Sequence, residues 1–266
     1  MTRDQIIQGF TERAQNDLRV AALFLGGSLG SGRGDLWSDV DLILVVHPQH
    51  HTALVTALKS WATGVADIVL WRQIYPGIPL FMAVTAEWLR FDLTVTVPTR
   101  IIGAQSTLRP LVDHAQVWSS LPPSLPHKPV DPAHLAVLVE ETLRILGLTP
   151  VAVGRGEYAN MVTGVGLLRQ QLISLMIAET EPPLPSGALH LKRILPQQDI
   201  EILEALPAVV ATPESAIAAT LIYAQLFLPR AKALADKIGT PWPSALEAAT
   251  RAHLGRELGL ELPTSL

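Results

Sequence analysis

Five prolines within residues 121–132, at positions 122, 123, 126, 129 and 132, divide the chain. Proline lacks an amide donor and fixes φ, so this stretch can continue neither a helix nor a central strand. The patterning differs on its two sides. Before it come short apolar runs broken by glycine and polar turns. After it the apolar residues recur at helical spacing almost throughout. The expected fold class is therefore α+β. An N-terminal domain over 1–120 carries a mixed sheet with helices, residues 121–132 form a linker, and 133–266 form an all-α helical bundle.

In the first part, Ile6, Ile7, Phe10, Ala14 and Leu18 predict a helix over 4–18. Val20 to Leu25 reads as a buried strand ending at Gly26-Gly27, and Ser28 to Ser38 as loop. Val40 to Val46 is a second strand, rich in β-branched residues. A helix is expected over 50–62 and a strand over 67–71. The segments 80–84 and 88–97 suit an antiparallel hairpin. In the second part, Asp131 is placed to cap a helix running from Pro132 to Leu146. A long helix is expected over 157–178, ended by prolines at 182–185. Shorter helices are expected near 197–206, 214–237 and 244–258.

The chemistry concentrates between Gly26 and Leu44, where Gly-Gly-Ser is followed by three more glycines and then Asp39-Val40-Asp41. Glycine lets backbone amides approach an anion without hindrance from a Cβ. No Lys-Ser/Thr follows the last glycine, so the run is not a P-loop. A strand rather than a helix comes next, so the dinucleotide fingerprint fails as well. Asp39 and Asp41, two apart at a strand start, share one face. Adjacent carboxylates resist joint ionisation unless a cation lies between them, and hard oxygen ligands beside phosphates suit Mg²⁺. Asp92 adds a third acid within the apolar strand Arg90-Phe91-Asp92-Leu93-Thr94-Val95.

Gly27-Ser28, Asp39-x-Asp41 and Asp92, each after or within an apolar strand, resemble the nucleotidyltransferase superfamily that includes DNA polymerase β. Within it they are most similar to the aminoglycoside and other antibiotic adenylyltransferases. The resemblance spans residues 20–98 by motif. It implies that Asp39 and Asp41 ligate Mg²⁺, that Gly27 and Ser28 meet the nucleotide's phosphates, and that Asp92 is the third ligand or the general base. Relatives often carry Glu at this third position, one methylene longer than Asp92. Arg33 is a further candidate for the phosphates. Leu189-His190-Leu191-Lys192-Arg193 resembles a basic segment that reaches the triphosphate in several relatives, which points to Lys192. The helical domain is expected to bind the acceptor, with Glu157 at the start of its long helix as a candidate contact. The implied activity is transfer of AMP from ATP onto a hydroxyl of a small molecule such as an aminoglycoside, hence antibiotic resistance. Two other readings use the same residues: a nucleotidyltransferase acting on protein or RNA, and a non-catalytic nucleotide-binding or toxin–antitoxin partner protein.

Charge narrows the partners. Residues 1–120 hold 9 basic against 10 acidic residues, and 121–266 hold 11 against 14. Neither half has the basic excess that phosphate-backbone binding draws on, which argues against nucleic acid. The mildly acidic second half suits a cationic acceptor. There is no cysteine, so thiolate metal sites and disulfides are excluded. No apolar run reaches the roughly 20 residues of a membrane span, and the N-terminus lacks a signal-like layout, so a cytoplasmic enzyme is expected. His47, His50 and His51 read as solvated side chains, and Glu140 and Glu141 as a solvated helix face. Trp37, Trp71 and Trp88, near strand ends, read as core.

Overall fold

The computed structural model describes residues 1–126, 129–181 and 191–262. Two compact units divide the chain, Met1–Pro126 and His127–Leu266, with the break inside the proline-rich stretch. The first is a six-stranded mixed sheet with helices and the second is helical, which is the α+β layout expected.

Helix α1 (Arg3–Gln15) starts with a reciprocal cap: Thr2 Oγ1 accepts from the Gln5 amide, and the Gln5 side chain accepts from the Thr2 amide. It buries Ile6, Phe10 and Ala14. The helix stops three residues short of the expected Leu18, which is 93% exposed. Asp17 explains the stop, because its carboxylate accepts from Arg19 and from Trp61 Nε1 instead of facing solvent on another helical turn.

The sheet order is β3-β4-β5-β2-β1-β6, with β1 (Val20–Leu25), β2 (Val40–Val46), β3 (Ile68–Gln73), β4 (Leu80–Thr85), β5 (Arg90–Thr96) and β6 (Arg109–Asp113). Only β2 and β5 run parallel; β4 and β5 form the expected antiparallel hairpin. Strand β6 was not expected. Its Pro110 argues against a strand, but β6 lies at the sheet edge, where a missing donor costs little.

Alternation along the strands sets the faces. Val40, Leu42, Leu44 and Val46 of β2 and Phe91, Leu93 and Val95 of β5 join the core formed with α1 and α3 (His51–Thr63). Phe10 packs edge-on to Phe91 at 5.2 Å and against Trp61 at 5.5 Å. The intervening residues Asp41, Arg90, Asp92 and Thr94 therefore project to the opposite face. Farther along that side, Phe24, Val45, Val117 and Leu121 form a smaller core under α4 (Val117–Ser120), a single turn capped by the Asp113 carboxylate.

The second unit contains α5 (Pro132–Gly154), α6 (Tyr158–Thr180), α7 (Leu191–Ile194), α8 (Gln197–Glu204), α9 (Pro213–Ile238) and α10 (Ser244–Leu258). Asp131 caps α5 as expected, by accepting from the Ala133 amide. The helix continues past the expected end at Leu146 and through Pro150, because Leu146, Thr149 and Pro150 remain buried and packing outweighs one lost backbone bond. The expected break at 182–185 lies outside the described residues, as do His127 and Lys128 of the linker and Leu189 and His190 of the basic segment. Helix α6 is long and apolar enough by composition to cross a membrane. Its Met161, Val165, Leu168, Leu172, Leu175 and Met176 are instead buried as a stripe, and its Arg169 donates to the Leu203 carbonyl.

Arg230 of α9 bridges Glu179 and Asp199, joining α6 and α8 to α9, and its guanidinium is held well above its usual pKa by Asp199 first. Removing one partner leaves two partly buried carboxylates unmatched. Arg230→Leu is expected to lower unfolding stability by about 2 kcal/mol, less than the roughly 3–5 kcal/mol of a fully buried broken pair because these groups are partly exposed. Chemical denaturation of wild type and variant checks this.

Candidate active site

The loop expected over 28–38 is irregular from Ser31 on, but its first residues are helical. Gly27 to Gly30 form one helical turn, α2. The Gly26 amide donates to the Asp41 carbonyl at 2.8 Å, which pins the start of the turn to β2. Gly27 has φ +56°, and a Cβ there would lie 1.8 Å from Asp41 Oδ2. Any side chain would meet the carboxylate, so the backbone passes against Asp41 only because residue 27 is glycine.

Ser28 is half-buried and donates to Ser38 Oγ at 2.8 Å. Ser38 in turn donates to Asp35 Oδ1 and accepts from the Asp35 amide. The Trp37 amide also donates to Asp35 Oδ1, and Arg3 donates to the carbonyls of Asp35 and Ser38. The segment leading into Asp39 is thus held by a connected set of hydrogen bonds. Arg33 is exposed; its Nε donates to Ser31 Oγ, and its amide to the Ser28 carbonyl.

Asp41 and Asp92 are direct partners across the parallel β2–β5 pair. They share the face turned away from α1 and α3, and Asp39 stands just before β2. Burial first, then Asp39 and Asp92, push the Asp41 carboxyl up to about 6. Asp92 is likewise pushed up to about 6, by burial first and then Asp39. Each effect reflects carboxylates that are partly desolvated and too close to one another. Among the described residues, no three His, Asp or Glu side chains are already gathered about a common point. The donor set itself fits a hard divalent ion: oxygen ligands only, with excess negative charge that a cation would offset.

Arg90 brings a positive charge to this cluster, and the sequence reading passed over it. Its Nη2 lies 3.8 Å from Asp39 Oδ2 and 3.4 Å from the Trp37 carbonyl, and its charge lowers the carboxyls of both Asp41 and Asp92. The signal was available, since Arg90 stands two residues before Asp92 and so on the same strand face. Ser38 was also missed; a serine directly before Asp39 is placed to organise that turn.

The remaining candidates stand on other elements. Glu157 is exposed at the start of α6 and makes no capping bond. Lys192 sits in the one-turn helix α7 and pairs with Glu204 at 2.8 Å; both residues belong to the helical unit. Glu141 pairs with Arg144 on an exposed helix face. His47, His50 and His51 join no metal-binding group among the described residues. Of the three tryptophans read as core, only Trp71 packs, stacked on Phe81 at 5.1 Å. Trp37 is 85% and Trp88 77% exposed, because each lies in a turn rather than in the strand beside it.

No protein-family model and no curated protein matches this sequence. Among solved structures, the chain is similar to an aminoglycoside 6-adenyltransferase from Bacillus subtilis, with 13% identity and a TM-score of 0.45 over 95% of this chain and 96% of that one.

Proposed function

We propose that the chain is a divalent-metal-dependent nucleotidyltransferase that moves AMP from ATP onto a hydroxyl of a small molecule. The proposed acceptor class is an aminoglycoside or a related antibiotic. The observation that carries this reading is the pairing of Asp41 with Asp92 on one sheet face, with Asp39 beside them and the Gly27 backbone against Asp41. The motif resemblance of residues 20–98 supports it.

Asp39 and Asp41 would hold Mg²⁺, with Asp92 as third ligand or as base. When bound, the metal supplies charge neutralisation at the triphosphate and a lowered pKa at the acceptor hydroxyl. The acceptor oxygen forms a bond to the α-phosphorus. The bond from that phosphorus to the bridging oxygen breaks, and pyrophosphate leaves with the electron pair. Asp92 is suited to take the hydroxyl's proton, since a base works best with a pKa near the working pH and burial has raised this one. Gly27, Ser28 and Arg33 would meet the donor's phosphates, with the Ser28–Ser38–Asp35 bonds holding that turn rigid. Catalysis then rests chiefly on positioning and electrostatics. The helical unit would carry the acceptor pocket, with Glu157 as a candidate contact, and Lys192 would be its candidate for the triphosphate.

The test is an acceptor panel: Mg²⁺, α-labelled ATP, aminoglycosides, lincosamides, small RNA and cell protein. Label on a small molecule is expected. Label confined to RNA or protein overturns the acceptor class while leaving the transferase reading. No Mg²⁺-dependent nucleotide binding overturns both.

A further inference from the structure

Arg90 makes two contacts among the described residues, and both are long. At 3.8 Å its Nη2 is beyond hydrogen-bonding distance of Asp39 Oδ2, and at 3.4 Å it is barely within reach of the Trp37 carbonyl. A guanidinium has five N–H donors, so most of them meet no protein acceptor among the described residues. Its backbone is fixed in β5 opposite Val84, while its side chain is 37% exposed and can turn at little cost. The surrounding charge gives the arrangement a direction. Three carboxylates and one arginine sum to −2 when all are ionised, which one divalent ion balances. A metal ion approaching Asp39 meets the guanidinium as a competitor. An incoming triphosphate meets it as a partner with two parallel donors.

We propose that Arg90 is an exchangeable cation of this site, screening Asp39 while no metal is bound and turning to the donor's phosphates once a divalent ion takes Asp39. The inference rests on the nucleotidyltransferase reading, and it assigns to Arg90 opposite effects on the two ligands. Without Arg90 the site charge becomes −3, so the metal alone binds more tightly. Without Arg90 the triphosphate loses charge-assisted hydrogen bonds, so it binds more weakly. A residue that merely shapes the site would change both in the same direction.

The experiment compares wild type, Arg90→Gln and Arg90→Lys. Free Mn²⁺ is measured by electron paramagnetic resonance with the metal alone, and binding of inorganic tripolyphosphate is measured by calorimetry at saturating Mn²⁺. Arg90→Gln is expected to bind Mn²⁺ about tenfold more tightly and tripolyphosphate about tenfold or more weakly, the scale of one charge and one charge-assisted bond. Arg90→Lys keeps the charge but loses the fork. It should bind Mn²⁺ as wild type does and hold tripolyphosphate with intermediate strength. Parallel weakening of both ligands in Arg90→Gln, or no change in either, overturns the proposal while the transferase reading stands. If wild type binds neither Mn²⁺ nor tripolyphosphate, both fall together.

Discussion

At pH 7.5 without divalent ions, Asp41→Asn is expected to melt at a higher temperature than the wild-type chain. The Asp41 carboxyl is raised to about 6 by burial, Asp39 and Asp92, so the folded protein holds its proton more tightly than the unfolded chain does. Folding therefore takes up protons between about pH 4 and 6, and stability grows as pH falls through that window. Above it the ionised carboxylate costs stability. At about 1.4 kcal/mol per pKa unit, discounted for partial exposure, the cost at pH 7.5 is on the order of 2 kcal/mol. Asparagine removes that cost. It also removes a proposed metal ligand, so transfer should fall by at least about a thousandfold, and Mg²⁺ should no longer raise the melting temperature. In the wild type the Mg²⁺ effect should be small at pH 5 and large at pH 7.5, because metal and protons compete for the same oxygens. Scanning calorimetry at both pH values checks each point. A destabilised Asp41→Asn that keeps its response to Mg²⁺ would show that Asp41 is a structural carboxylate.

The second large effect is expected from one methyl group. In Gly27→Ala the new Cβ would sit 1.8 Å from Asp41 Oδ2, so the carboxylate or the turn must move. A shift of about 1 Å in a reacting group is enough for about a hundredfold loss of rate, so transfer should fall at least that far. The positive φ adds a cost of roughly 1–2 kcal/mol. Gly32→Ala is the control. Its φ is +71°, but nothing lies within 4 Å of the added Cβ. It should carry a similar backbone cost with transfer within a few-fold of wild type. Steady-state kinetics and circular dichroism on the two variants separate the close contact from the backbone effect. Equal losses in both would mean that turn conformation, not contact with Asp41, governs residue 27.

Much of the site was legible because strand alternation is a strong local rule. The spacing of Asp39 and Asp41 placed them together at a strand start, and Asp92 stood out as an acid in an apolar strand; that Asp41 and Asp92 share the face opposite Val40, Leu42, Leu44, Phe91, Leu93 and Val95 shows only in the packed core. The register that sets Asp41 opposite Asp92 was not legible, since it depends on which strands become neighbours. The same limit hid β6, whose proline is tolerated only because the strand lies at an edge. Helix ends went wrong where a side chain found a tertiary partner. Asp17, bound to Arg19 and Trp61, ended α1 before Leu18, and burial of Pro150 carried α5 past Leu146. The tryptophans show a further limit. Trp37 follows Leu36 and Trp88 precedes Leu89, yet turns expose both. Arg90 was overlooked because an arginine beside an acid is ordinary on a surface, and only the fold brings it to Asp39.

On the proposed reading these three carboxylates serve transfer of a nucleoside monophosphate. That reading is tested most directly by supplying ATP labelled separately at the α and γ phosphates, with an accepting antibiotic, in the presence and absence of Mg²⁺. The α label is expected on the acceptor and the γ label in pyrophosphate, in equal amounts and only with the metal. The γ label on the acceptor, or α-label transfer undiminished by removing divalent ions, would contradict it.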